Sequence, residues 1–122
     1  MILSYDAVDR LLFVSFTTGG GVLESREQVE AFARTLRARC ESLPAKAHFF
    51  FDLENLSIGA AVAAYYGEQK TELCERYAAT VWHFGGQLAE RVMARNEATR
   101  RGQRANVFKT RAEALAAFRK PA

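Results

Sequence analysis

Two cysteines, two prolines and one tryptophan are all that the 122 residues hold of these three types. Cys40 and Cys74 stand far apart, and both fall within stretches of helical spacing. They have neither the density of a disulfide framework nor the spacing of a metal site. Free, buried thiols of a cytoplasmic protein are expected, with no metal ligands and no cofactor. No window approaches the roughly 20 apolar residues that a membrane span needs. The opening MILSYDAVDR lacks a basic leader and soon turns acidic, so no targeting peptide is expected. A net charge of +3 is too mild to imply nucleic acid, and no recognition motif with interleaved aromatics adds to it. A Ser-His-Asp set, a Cys-His pair and metal-ligand spacing are missing as well, which leaves no enzymatic constellation to assign.

Apolar residues make up 49% and charged residues 25%, the composition of a folded chain rather than a disordered one. The length suits a single domain over residues 1–122. Ile2 to Ala7 and Leu11 to Thr17 flank a turn at "VDR", where Asp9 suits tight geometry, and predict an antiparallel hairpin. "TTGGG" then predicts a flexible connection. Ser25 and Gln28 form a capping box, and Val29, Phe32, Ala33, Leu36 and Cys40 keep the spacing of one buried helical face, which Pro44 closes. Ala47 to Leu53 is a continuous apolar run, the mark of a strand covered on both sides.

Helical spacing returns from Ile58 to about Tyr77 through Ala61, Val62, Tyr65, Gln69 and Leu73. "ATVWHF" is the next buried strand. "GG" opens a third helix carrying Leu88, Val92 and Met93, with Gly102 as its stop. "ANVFKT" is a last strand, and Thr110 and Glu113 form a second capping box for a final helix with Leu115 and Phe118 inward. The order ββαβαβαβα predicts an α/β fold: a mixed, mostly parallel sheet of five strands covered by about four helices.

That order resembles the STAS superfamily of anti-sigma-factor antagonists and their relatives, and is most similar to its divergent SpoIIAA-like, or Sec14-like, branch. The residues that carry the likeness are the opening hairpin, "FFFDLENLSIGA", "ATVWHFGG" and the closing "ANVFKTRAEALAAF". In antagonists of the family a strand-end aspartate leads to Asp-Ser-Ser-Gly, and the serine before the glycine is phosphorylated by a partner kinase. Asp52 matches the strand-end aspartate, Ser57 the first serine and Gly59 the glycine. Ile58 stands at the phosphoacceptor position and Leu56 replaces the motif aspartate. The resemblance implies a regulatory module without the usual serine phosphoswitch.

The candidate sites lie at the carboxyl ends of the central strands, where α/β sheets place ligands. Asp52, Glu54, Asn55, Ser57 and Gly59 form a candidate interaction loop, with an Asx-turn and Ser57 as the cap of the following helix. His83, Gly85 and Gly86 form a candidate ligand or anion contact, since glycines before a helix expose N–H groups. No lysine follows to make a phosphate loop. His48 is expected to be a strand-entry residue. Arg91, Arg95, Arg100, Arg101, Arg104, Lys109 and Arg111 make the C-terminal third basic, a solvated face or a surface for an anionic partner. Tyr65, Tyr66, Tyr77, Trp82 and Phe84 belong mostly to the core, with Tyr66 forming a partner patch if it is exposed. The expected function is a non-enzymatic STAS-like regulatory or protein-interaction module that binds a protein partner or a second copy of itself. The alternative is a small-ligand or lipid-binding domain with a cleft from His83 to Gln87.

Overall fold

The computed structural model describes residues 1–121. Strands β1 (Ile2–Asp6) and β2 (Leu11–Ser15) form the antiparallel hairpin. Its turn hangs on Asp6, whose Oδ1 accepts from the N–H groups of Val8 and Asp9 at 2.9 and 3.4 Å. A short strand β3 (Gly21–Leu23) leads to helix α1 (Arg26–Glu41), which opens with both hydrogen bonds of the Ser25–Gln28 capping box. Next come β4 (Ala47–Asp52), a short β5 (Leu56–Ile58), a 3₁₀ turn (Ala60–Val62) and α2 (Ala63–Tyr77). The chain closes with β6 (Ala78–Phe84), α3 (Leu88–Arg100), β7 (Val107–Phe108) and α4 (Arg111–Arg119).

The five-stranded sheet has the order β1-β2-β4-β6-β7, antiparallel at β1 and parallel elsewhere. Each of the three crossovers steps one strand in the same direction. Right-handed connections then put α1, α2 and α3 on one face, and α4 folds back over the other. Two apolar layers result. Leu12, Val14, Phe49 and Phe51 meet Val29, Phe32, Leu36, Val62, Tyr66 and Leu73 under the helices. Leu11, Phe13, Phe50, Trp82 and Phe84 meet Ala114, with Phe118 packed beside them. Phe50 stacks on Trp82 with centroids 5.6 Å apart and meets the Phe118 ring edge-on at 5.5 Å.

Three sequence expectations are corrected. The "TTGGG" and Asp52–Gly59 connections are not loose throughout, because β3 and β5 pair in parallel as a separate two-stranded sheet, Gly21 opposite Leu56 and Leu23 opposite Ile58. Gly21 permits this approach, since a side chain there would strike the Asn55 carbonyl and the Phe16 ring. Ser57 is consequently an exposed mid-strand residue opposite Val22 and caps no helix; α2 begins at Ala63 without a side-chain cap. Tyr66 lies in the core, packed against Phe32 with centroids 5.3 Å apart, so it forms no partner patch. Finally, α3 contributes no buried residue and turns Leu88, Val92 and Met93 to solvent.

Candidate functional site

At the carboxyl edge of the sheet, β4 and β6 end in two turns that fit each other. Asp52 Oδ1 accepts from the Glu54 N–H at 2.9 Å, the anticipated Asx-turn. Asn55 takes a left-handed φ of 63°, and its Nδ2 donates to the Phe16 carbonyl at 3.0 Å. Asn55 is therefore a structural clip, while Glu54 is exposed beside it. Gly85 and Gly86 both have positive φ, 77° and 70°. A Cβ on Gly85 would lie 2.8 Å from Asp52 Oδ1, and one on Gly86 would lie 2.9 Å from Leu53 Cβ. Only glycine satisfies both constraints. The guanidinium of Arg91 donates to the carbonyls of Gly85 and Gly86 at 3.3 and 2.7 Å. The glycine pair is thus occupied by its own protein, as a joint between β6 and α3 that abuts the Asp52–Asn55 turn.

His83 does not join that turn. Its ring is buried on the helix-covered face, stacked on Phe51 at 5.3 Å, and its Nε2 lies 2.6 Å from Lys70 Nζ. The Lys70 ammonium nitrogen sits 4.2 Å from the Phe51 centroid and 5.8 Å from that of Tyr66. Burial pushes the lysine down to about 8, because charge is costly in an apolar layer. Burial, aided by the Lys70 charge, holds His83 well below the usual imidazole range. Tyr66 Oη is the buried side-chain polar atom without a hydrogen-bond partner among the described residues. The cluster is two bases at hydrogen-bond distance, a buried His83 and a half-buried Lys70, with Cys74 nearby on α2, its thiol pushed up to about 11 by burial.

Lys70 escaped the sequence reading. Its signal is the stripe Val62, Tyr66, Lys70, Leu73 and Cys74, which shares one helical face and whose apolar members are buried. A lysine inside such a stripe marks a half-buried side chain held against the apolar layer.

The outer side of α3 completes the surface next to the turns. Leu88, Val92 and Met93 are 67%, 40% and 66% exposed. The half-buried positions of the helix are Glu90, Arg91, Ala94, Glu97 and Ala98, so the inward face is polar or small. That orientation follows from what the inward residues hold: Arg91 takes the glycine carbonyls, and Glu97 takes Arg100 and Arg101, each at 2.7 Å. The two arginines lower the Glu97 pKa, Arg100 foremost. Several other basic residues of the C-terminal third also serve the fold. Arg95 reaches the Val107 carbonyl at 3.4 Å, and Arg111 covers the Phe13 ring at 4.0 Å. His48 is the expected strand-entry residue, paired with Thr80 Oγ1 at 2.7 Å.

Asp52, Glu54 and Asn55 thus come together with Gly85 and Gly86. Ser57 and Gly59 lie apart, in and just after β5, and His83 points under α2. Two open grooves lie elsewhere. One of about 320 Å³ runs between Gly19–Leu23 and Gln28–Thr35, and one of about 270 Å³ is lined by Thr80, Trp82 and Arg104. Neither includes His83, Gly85 or Gly86. Among the described residues no group of three His, Cys, Asp or Glu side chains gathers to hold a metal ion, and no helix is long and apolar enough to cross a membrane. Comparison with protein-family models, with curated proteins and with solved structures finds no match to this chain.

Proposed function

We propose that this chain is a non-enzymatic, STAS-like protein-interaction module, acting without the usual serine phosphoswitch. Its contact surface is the outer face of α3 together with the adjoining Asp52–Asn55 turn. The observation that carries this reading is the inverted amphipathicity of α3: Leu88, Val92 and Met93 face solvent, while the inward side is polar or small. Burying such a face on association returns roughly 25 cal/mol for each Å² of apolar area removed from water. A helix that withholds it from its own core keeps it for another surface.

Charge selects the partner. The exposed side of α3 adds Arg95 to the apolar residues, while Arg100 is already paired with Glu97. The surface fits a different protein that presents apolar side chains flanked by carboxylates, a match that favours encounter as well as register. Ser57 sits exposed in the middle of β5 and caps no helix, which supports the absence of a phosphoswitch.

The test is to isolate the tagged wild type and a Leu88→Ser, Met93→Ser variant from the native cell and compare their complexes by size exclusion. The wild type is expected to elute with a stoichiometric acidic partner that salt releases, and the variant alone. Identical complexes for both, or a wild type without a partner, would overturn the proposal.

A further inference from the structure

The geometry points to Lys70 as a carbamylation site, at which the neutral amine takes up carbon dioxide and His83 accepts the proton that is released. Three features of the buried cluster lead there. The amine has a proton acceptor in place, with Nζ 2.6 Å from His83 Nε2. An amine pushed down to about 8 offers its lone pair near neutral pH, which an exposed lysine at its ordinary value does not. Lys70 is half-buried and neither groove reaches the pair, so the site favours an electrophile that is small, uncharged and soluble in an apolar layer. Carbon dioxide meets each condition.

The step balances without a further reactant. The nitrogen lone pair of Lys70 bonds to the carbon of carbon dioxide, and one carbon–oxygen π pair moves onto oxygen. One N–H proton passes to His83 Nε2. The products are a lysine carbamate with one negative charge and an imidazolium with one positive charge; nothing is oxidised or reduced. Imidazolium and carbamate then form an ion pair in the layer where a lone cation was disfavoured. Tyr66, one helical turn before Lys70, supplies a buried hydroxyl without a partner, which meets the demand of a new acceptor for a donor. The other charged groups facing the site are Glu97 and Arg101 of α3, already paired with each other at 2.7 Å. The Cys74 thiol, raised to about 11 by burial, stays neutral.

The chain carries its own controls, since Lys46, Lys109 and Lys120 are exposed. The folded protein is equilibrated with bicarbonate and carbon dioxide at about pH 8, where roughly half of Lys70 is neutral. Triethyloxonium ion then ethylates carbamate oxygen, and peptide mass spectrometry locates the ester. In parallel, ¹³C-labelled carbon dioxide is followed by NMR, a readout that requires no reagent to enter the layer. The expected result is a carbamate resonance lost in Lys70→Met, and an ester on Lys70 exceeding that on the other lysines by about a hundredfold, the equivalent of two pKa units. In His83→Phe, or in His83→Asn should the phenylalanine disturb the near-UV circular dichroism, the carbamate falls by about tenfold, the equivalent of one pKa unit. A resonance unchanged in Lys70→Met, no Lys70 carbamate by either readout, or equal yield in a folded His83 variant would overturn the proposal.

Discussion

Lys70 Nζ and His83 Nε2 meet at 2.6 Å across the boundary between α2 and β6, so two bases share a single apolar site. Burial lowers the proton affinity of both, Lys70 from 10.5 to about 8 and His83 to well below 6.5. The unfolded chain therefore binds more protons than the folded one in two windows, between about pH 8 and 10.5 and below about pH 6.5. Stability rises with pH wherever the unfolded state holds more protons. Denaturant titrations should show the wild type gaining on Lys70→Met from pH 8 to 10.5. They should show it losing ground to His83→Phe as the pH drops through 6.5. Cys40 and Cys74, both raised to about 11, pull stability down above about pH 9; Cys40 cancels in these differences, whereas Cys74, which the Lys70 charge lowers, titrates higher in Lys70→Met, so the comparison is read between about pH 8 and 9. A difference independent of pH in either window would remove the buried pair from the account.

The Asp52–Asn55 turn divides into a clip and a free side chain. Asn55→Ala combines an unfavourable φ with the loss of the hydrogen bond to Phe16, and should cost about 1–3 kcal/mol. Glu54→Ala removes only an exposed side chain and should move stability by less than about 0.5 kcal/mol. Urea unfolding of the two variants checks the contrast, and equal losses would contradict it.

Gly86 is fixed by φ and by space together. A Cβ there would meet Leu53 at 2.9 Å, so Gly86→Ala should lower the melting temperature of the fold and weaken the joint that sets α3 in place. The strain alone is worth about 1–3 kcal/mol. Hydrogen exchange that stays unchanged across Gly85 to Arg91 would argue against the joint.

Ser57→Ala and Ser57→Asp should both support partner binding in the native cell, since the serine is a mid-strand residue of β5 and caps no helix. Loss in one and constitutive function in the other would instead reveal a phosphoswitch.

The main sheet was legible in the sequence because its signals are redundant. Phe49, Phe50 and Phe51 form an apolar run that only a two-sided strand can bury, and the Ser25 and Thr110 caps mark their helices by chemistry that acts within one turn. The β3–β5 pairing was not legible. Gly-Val-Leu and Leu-Ser-Ile are too short for periodicity, and their partnership depends on a close approach at Gly21 that tertiary structure alone creates. The outward turn of α3 was hidden for a related reason. Leu88, Val92 and Met93 resemble core positions until Arg91 is seen holding the Gly85 and Gly86 carbonyls. At the site, the Asx-turn at Asp52 could be anticipated locally, whereas the inward aim of His83 depended on recognising Lys70 within an apolar stripe.

The measurement that tests the account most directly is site-specific photocrosslinking in the native cell, with a benzophenone amino acid placed at Met93 and, as a control, at the exposed Val8 of the hairpin turn. The account predicts that position 93 captures a segment of another protein bearing apolar and acidic side chains, that high salt or Arg95→Glu suppresses the capture, and that position 8 captures nothing similar. Absence of any adduct from position 93, or the same adducts from both positions, would contradict it.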